Sequence, residues 1–350
     1  MNNICLFTIP SSLFPLPFFM TWTPLHAQIH RTIRARRLFE HKQRLLVAVS
    51  GGQDSLCLIK LLLDLQPKWQ WDLGIAHCDH CWREDSQANA HHVENLAKFW
   101  ETPFYLETAN EPINTEATAR NWRYQALTKI AQLHNYQYVI TGHTASDRAE
   151  TLLYNLIRGT GADGLQALTW QRPLTDNIRL IRPLLEITRS QTEQFCQEFN
   201  LPIWQDSTNQ DFKYARNRIR QELLPYLQTN FNPKVELNLA QTAELLQAEV
   251  EYLEQAAHKL RQDAMEEKIN NHLNHSLRLN RQILKTAPLA IQRRVMRQVL
   301  QEILPDAPNF EHIEKLTALI TASNRSQTDP FPGGVIAIVQ GDYICIHQQR

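Results

Sequence analysis

Apolar and polar positions alternate between two patterns along most of the chain. Leu45-Leu46-Val47-Ala48-Val49 is a continuous apolar run, as expected of a strand buried on both faces. After Ser50-Gly51-Gly52 the apolar positions resume at helical spacing through Leu56, Ile59, Leu62 and Leu63, predicting a helix to about Leu65. Further strands are predicted at Trp71–His77, Phe104–Leu106, Tyr138–Thr141 and Ile178–Ile181. Between them the pattern predicts a helix capped by Asp85 and running to Trp100, one capped by Asn114 over Glu116–His134, one starting near Asp147, and one over Thr188–Phe199. A short basic helix, Pro24–Leu38, precedes the first strand. Strand–helix alternation of this kind implies an α/β fold with a doubly wound, mostly parallel sheet.

The pattern changes after Pro225 and Asn230-Phe231-Asn232-Pro233. A long Gln/Glu/Ala/Leu helix is predicted over Val235–Ala264 and a second over Pro288–Ile303, followed by a terminal β-hairpin within Pro332–Ile346. We therefore expect three segments: an N-terminal extension with the basic helix (1–43), the α/β domain (44–227), and a smaller, mostly helical C-terminal domain ending in a hairpin (228–350). Met1–Phe19 is apolar, uncharged and holds three prolines, without the basic start and small-residue cleavage site of a signal peptide. The working protein is expected to begin at Met20.

Composition narrows the function classes. Thirty-six Lys/Arg balance 36 Asp/Glu, so no global basic field announces nucleic acid and any RNA site must be a local patch. Six scattered cysteines in 350 residues argue for a reducing, cytoplasmic compartment over a disulfide scaffold. No apolar run is long enough for a membrane helix.

Candidate chemistry sits where predicted strands end. Strand, glycine loop, helix start is a phosphate-binding geometry: glycine lets the backbone approach an anion, and the first helical N–H groups point at it. Ser50 and Ser55 add hydroxyls, and Asp54 stands in the first turn. No Lys follows the glycines, so this is not the Gly-x-x-x-x-Gly-Lys-Ser/Thr loop. Cys78 and Cys81, interleaved with His77 and His80, suggest zinc, but the chain has no second Cys-x-x-Cys to complete four ligands. They are read as incidental neighbours of Asp79 and His80. Glu116, Arg120 and Arg123 share one helical face, either as a surface ion pair or as arginines meeting phosphate or carboxylate. His143, Asp147 and Glu150 follow the Tyr138–Thr141 strand, and paired carboxylates there suit Mg²⁺ or a cationic substrate. Arg216, Arg218 and Arg220 surround a short helix, and Arg293, Arg294 and Arg297 line the polar side of another. Arginine suits bidentate phosphate recognition.

The loop Ser50-Gly-Gly-Gln-Asp-Ser55 resembles that of the PP-loop (N-type) ATP pyrophosphatases, a Rossmann-like fold. Taken with Asp79-His80 and Arg83, Glu116–Arg123, His143 with Asp147 and Glu150, Arg182-Pro-Leu-Leu185, and the block from Asp206 to Arg220, it resembles the tRNA(Ile)-lysidine synthase family. The resemblance covers about Arg44–Leu227 strongly and the C-terminal region more weakly. It implies ATP-dependent ligation of free L-lysine to the wobble cytidine of a CAU-anticodon tRNA(Ile), through an adenylated intermediate, with lysidine, AMP and pyrophosphate as products. It implies nucleotide binding by Ser50, Gly51, Gly52, Gln53, Asp54, Ser55, Asp79 and His80, with Mg²⁺ on Asp54. Catalysis is expected from Asp54, His143, Asp147 and Glu150, and tRNA contact from Arg120, Arg123, Arg216, Arg220, Arg293 and Arg294. Cys78 and Cys81 depart from the family's Val-like and Gly-like residues without touching an expected ligand. A homodimer is compatible with the reading. A PP-loop tRNA thiolase and a non-catalytic ATP- or tRNA-binding protein are the alternatives.

Overall fold

The computed structural model describes residues 22–81, 85–110, 115–205, 212, 215–268 and 276–348. The expected start at Met20, Arg83, Asn114, and Asp206 to Asn209 lie outside the described residues. The chain divides into two compact units, Met1–Ala243 and Glu244–Arg350, with the division inside the long helix.

The first unit contains, in order, α1 (Pro24–Arg36), β1 (Arg44–Ala48), α2 (Gln53–Trp69), β2 (Asp72–Asp79), α3 (Ser86–Phe99), β3 (Phe104–Thr108), α4 (Glu116–Leu133) and β4 (Tyr138–Ile140). Then come α5 (Ala145–Ile157), the short α6 (Ala162–Leu165), β5 (Gln171–Thr175), β6 (Ile178–Ile181), α7 (Arg189–Glu198), α8 (Ala215–Arg218), a π-helical turn (Ile219–Leu223) and α9 (Leu224–Asn230). The six strands form one sheet in the order β3-β2-β1-β4-β6-β5. All neighbouring pairs are parallel except β5 with β6. β5 was not expected. Its Gln171-Arg-Pro-Leu-Thr sequence lacks strand character, and Pro173 is tolerated because the strand sits at the sheet edge.

Strand order reverses direction between β1 and β4. In open α/β sheets that switch point, outside the carboxyl ends of the strands, is where ligands bind. Leu45, Leu46 and Val47 are fully buried, so β1 is covered on both faces. Helix α2 is buried almost all round: Leu56, Leu58, Ile59, Leu61 and Leu62 are inaccessible to solvent. Its two buried charges satisfy each other. Lys60 Nζ donates to both oxygens of Asp64 at 2.6 Å, and Asp64 also lies 3.0 Å from His26 Nε2 on α1.

Two expected caps need correction. Thr115 caps α4, accepting the Thr118 N–H at 3.1 Å. Asp85 occupies the cap position of α3, but its carboxylate accepts the Trp204 indole N–H at 3.1 Å and caps nothing. A Cβ on Gly142, just after β4, would lie 2.9 Å from the Asp54 carbonyl oxygen, so glycine lets the first turn of α2 pack directly on the β4–α5 loop.

Helix α10 (Val235–Ala264) runs into the second unit, which continues with β7 (Met265–Lys268), β8 (Ser276–Asn280), α11 (Arg281–Lys285), α12 (Leu289–Ile303), α13 (Phe310–Ala318), β9 (Val335–Gln340) and β10 (Tyr343–Gln348). The expected hairpin is β9–β10, and it is half of a four-stranded antiparallel sheet ordered β7-β8-β10-β9. Val295, Met296, Val299 and Leu300 of α12 share one buried core with Leu279, Val339 and Ile344 of the sheet. Among the described residues no helix is long and apolar enough to cross a membrane.

Candidate active site

The chain leaves β1 through Ser50-Gly51-Gly52 and enters α2 at Gln53. Gly51 has φ +83°, and a Cβ there would meet Asn89 Oδ1 at 2.5 Å, so the position needs glycine for both dihedral and space. The serines brace the turn. Ser55 Oγ accepts the Ser50 N–H at 3.2 Å and donates to the Gly52 carbonyl at 2.8 Å, while Ser50 Oγ accepts the Gly52 N–H at 3.3 Å. The N-cap, Gly52, offers no side-chain acceptor, so the first amides of a 17-residue helix lack an intrahelical partner and favour an anion.

Three carboxylates converge beside this loop, and a residue not expected from sequence holds them together. Arg189, the first residue of α7, places Nη2 at 3.1 Å from Asp54 Oδ2 and 3.3 Å from Asp147 Oδ1, with Nη1 at 3.7 Å from Glu150 Oε1. Thr192 Oγ1, one turn later, donates to Asp54 Oδ1 at 2.5 Å. Arg220 grips Glu150 with two parallel bonds of 2.7 and 2.8 Å and stands 3.6 Å from Asp147. Asp147 closes a capping box on α5: its Oδ2 accepts the Thr144 N–H at 2.8 Å. Two guanidiniums against three carboxylates leave one formal negative charge in the cluster.

Electrostatics set the three carboxyls apart. Burial raises Asp54, and the charge of Asp147 adds to this against the pull of Arg189 and Thr192. Glu150 is likewise raised by burial, against Arg220. Burial would also raise Asp147, but Arg189, the Thr144 N–H and Arg220 outweigh it and hold that carboxyl below its ordinary range. His143, whose Nδ1 lies 2.9 Å from Thr141 Oγ1, is pushed down to about 3 by burial first and by Arg182 next, so it is neutral at physiological pH.

Residues 23–227 match the PP-loop domain family and residues 279–350 the TilS substrate binding domain family. A tRNA(Ile)-lysidine synthase of Nostoc is 76% identical over 334 residues, 93% of this chain and 98% of the relative. The chain belongs to the tRNA(Ile)-lysidine synthase family. The Synechocystis member is 50% identical, covering 93% of this chain and 98% of its own length. A chloroplastic member from the alga Zygnema circumcarinatum is 36% identical over 86% of this chain and 81% of its own. Among solved structures, the U34-tRNA thiolase NcsA of Methanococcus maripaludis superposes with a TM-score of 0.55 at 13% identity, over 64% of this chain and 78% of that one, a likeness of fold alone. Use of ATP follows from membership of the PP-loop family.

The other expected site residues are placed unevenly. Asp79 ends β2, buried, with Oδ1 accepting the Cys81 N–H at 2.9 Å. His80 Nε2 faces Arg123 Nη2 at 2.9 Å. Arg120 lies over Tyr124 at 5.9 Å. The Gln53 side chain is committed to α7, donating to the Arg189 carbonyl at 2.7 Å and Thr192 Oγ1 at 2.8 Å, which leaves its backbone N–H at the loop. Arg220 is not on the outer face of a regular helix as its i, i+4 spacing from Arg216 implied. The π-helical turn re-aims it into the carboxylate cluster, while Arg216 lies over Tyr154 at 5.5 Å. Arg294 is nine-tenths buried and pairs with Glu254, and Arg293 forms a bidentate pair with Glu314 at 2.6 and 2.9 Å. Both arginines tie helices of the second unit together. Burial pushes the Cys78 thiol up to about 12, so it is no thiolate at neutral pH. Arg189 had one available signal, a cation in the first turn of a helix, where the helix dipole disfavours it.

Proposed function

We propose that the chain ligates L-lysine to the 2-position of the wobble cytidine of a CAU-anticodon tRNA(Ile), as the names of its relatives imply for them. The observation that carries this reading is the meeting of Asp54, Asp147 and Glu150 around Arg189 beside the phosphate loop. Mere nucleotide or RNA binding does not call for three carboxylates next to an anion cradle.

ATP phosphates lie against the amides of Gly51, Gly52, Gln53 and Asp54 and the hydroxyls of Ser50 and Ser55. Those donors are fixed before charge develops on the departing pyrophosphate, which is the arrangement that lowers a barrier most. The cytidine 2-oxygen attacks the α-phosphorus, forming a C–O–P bond as the bond to pyrophosphate breaks. The lysine ε-amine then adds to the same carbon and AMP leaves with the oxygen. Lysine arrives as an ammonium with a pKa of roughly 10.4 and must lose a proton first. Asp147, held ionised, takes the cation. Glu150, the more basic of that pair, accepts the proton. The single negative charge left over in the cluster is what an ammonium neutralises.

Asp54 fits a Mg²⁺ site in one respect: Mg²⁺ bound to a nucleotide commonly takes one or two carboxylates and the phosphates themselves. Both Asp54 oxygens are engaged, by Thr192 and Arg189, so an ion there would be held in exchange for the Arg189 bonds. It would supply charge neutralisation at the phosphates.

The test is release of AMP and pyrophosphate from ATP with purified full-length protein, CAU-anticodon tRNA(Ile) and lysine. AMP release that depends on both tRNA and lysine, with lysidine in the digested tRNA, is expected. Release of ADP, or indifference to lysine, overturns the reading. Changing Cys78 and Cys81 together to Ser is expected to leave ligation intact, whereas sulfur in the product and its loss in that variant establish a thiolase.

A further inference from the structure

A second group of charged side chains stands at the same edge of the sheet with the opposite imbalance. Tyr124, in the third turn of α4, is surrounded by guanidiniums. Arg172 of β5 lies over its ring at 4.5 Å and Arg120 at 5.9 Å, and the charge of Arg182, directly after β6, also acts on its hydroxyl. Arg182 is only 2% exposed. Its Nη1 donates to the Thr169 carbonyl at 2.7 Å, and its buried Nε has no partner among the described residues. The charged groups that weigh most on Arg182 are the phenol, Arg172 and Arg120, with no carboxylate among them. Glu116, one turn before Arg120, has a side chain outside the described residues; among the side chains that are described, no carboxylate lies within ion-pair distance of these three arginines.

A stacked guanidinium on a tyrosine is ordinarily a modest surface contact. Three gathered on one phenol repel one another, and burying one of them is unfavourable without a counter-charge. The phenol registers the excess. Burial would raise its pKa, yet Arg182, Arg120 and Arg172 together bring it below the ordinary value.

We propose that Arg120, Arg172 and Arg182, gathered on Tyr124, form an anion site that takes a backbone phosphate of the anticodon loop while the wobble base enters the active site. Topology separates it from the nucleotide cradle. The phosphate loop follows β1, the arginines cluster at β5 and β6, and β4 runs between them. His143, at the end of β4, feels Arg182, Arg123 and Arg120, which puts the basin beside the reacting groups. A nucleotide already has its cradle, so the remaining polyanion that must approach this edge is the RNA. This inference rests on the reading of the chain as a tRNA-modifying ligase.

The experiment measures affinity of the full-length protein for CAU-anticodon tRNA(Ile) across a salt series, and separately for ATP, in wild type, Arg172→Ala and Arg172→Lys. Losing one charged phosphate contact is expected to weaken tRNA binding about tenfold in the alanine variant. It is also expected to reduce the slope of log affinity against log salt by about 0.7, the value for one phosphate of a single strand. Affinity for ATP is expected to stay at the wild-type value, which also reports intact folding. The lysine variant, which keeps the charge, is expected to restore the slope. Unchanged tRNA affinity and slope in Arg172→Ala overturn the proposal. Weakened ATP binding with unchanged tRNA binding also overturns it and assigns the basin to the nucleotide. Failure of the wild-type protein to bind or modify the tRNA is a different outcome, and it sinks the proposed function first.

Discussion

The two compact units use the same residue types in different ways. In the first, the charged groups beside the phosphate loop sit at the ends of elements: the turn after β1, the first turns of α5 and α7, and the π-helical turn before α9. Arg189 touches three carboxylates that come from two different helices. In the second unit, charged groups lie along helix flanks. Glu254 of α10 accepts from Arg294, Arg297 and Gln298 of α12; Arg261 pairs with Glu302; Arg293 pairs with Glu314 of α13. Lateral pairs hold helices at a fixed register. Pairs between element ends, at the edge of a parallel sheet, gather charge where a ligand can reach it. The position of an arginine within its element, more than its spacing from another arginine, separates the two uses.

Substitutions that split activity from stability sharpen this contrast. The largest effect is expected from Asp54→Asn, a loss of turnover on the order of a thousandfold, read by AMP release. Near-normal turnover would break the idea that convergence marks the active centre. Arg189→Ala is expected to lower kcat/KM on the order of a hundredfold. Its urea midpoint is expected to fall only modestly, since Arg220 still pairs with Glu150 and stands near Asp147. A variant that unfolds early but retains its rate would make Arg189 a clamp like those of the second unit.

Glu254→Ala should do the reverse. It removes a shared carboxylate from two largely buried guanidiniums, but Glu254 is itself partly exposed and water screens some of the loss. A destabilisation of about 2 kcal/mol is expected by urea unfolding, with AMP release per folded molecule unchanged. The smallest effect concerns pH. His143 has its pKa lowered to about 3 in the fold, below the unfolded value of 6.5. Between those values the unfolded chain binds the extra proton, so stability rises with pH across that window and is lost as pH falls from about 6.5. His143→Gln is expected to flatten the acid side of the urea-midpoint profile between about pH 6.5 and 4. An unaltered profile would mean that His143 is not held neutral by its surroundings.

Much of the first unit was legible beforehand because its signals are local. A strand buried on both faces must read as a continuous apolar run, as Leu45–Val49 does, and a tight turn onto a helix must carry glycine, as Gly51 does. The second unit was less legible. Ser276–Asn280 is a short strand whose pairing with distant β10 supplies what its own sequence lacks, Met265–Lys268 pairs in turn with that strand, and β5 is an edge strand with a proline. Helix α13 was missed for the same reason, being nine residues long and anchored by a shared core.

The amino-acid sequence by itself determined the α/β alternation, the phosphate-loop turn, and the placement of Asp54, Asp147 and Glu150 just past strand ends. Those follow from backbone dihedrals and side-chain period, which act over a few residues. Only tertiary structure decided which charges meet. Asp54 and Arg189 are 135 residues apart, Glu150 and Arg220 are 70 apart, and no local rule links them. Their partnership arises because a parallel sheet brings the ends of successive crossovers to one edge, where burial makes each charge depend on its neighbours.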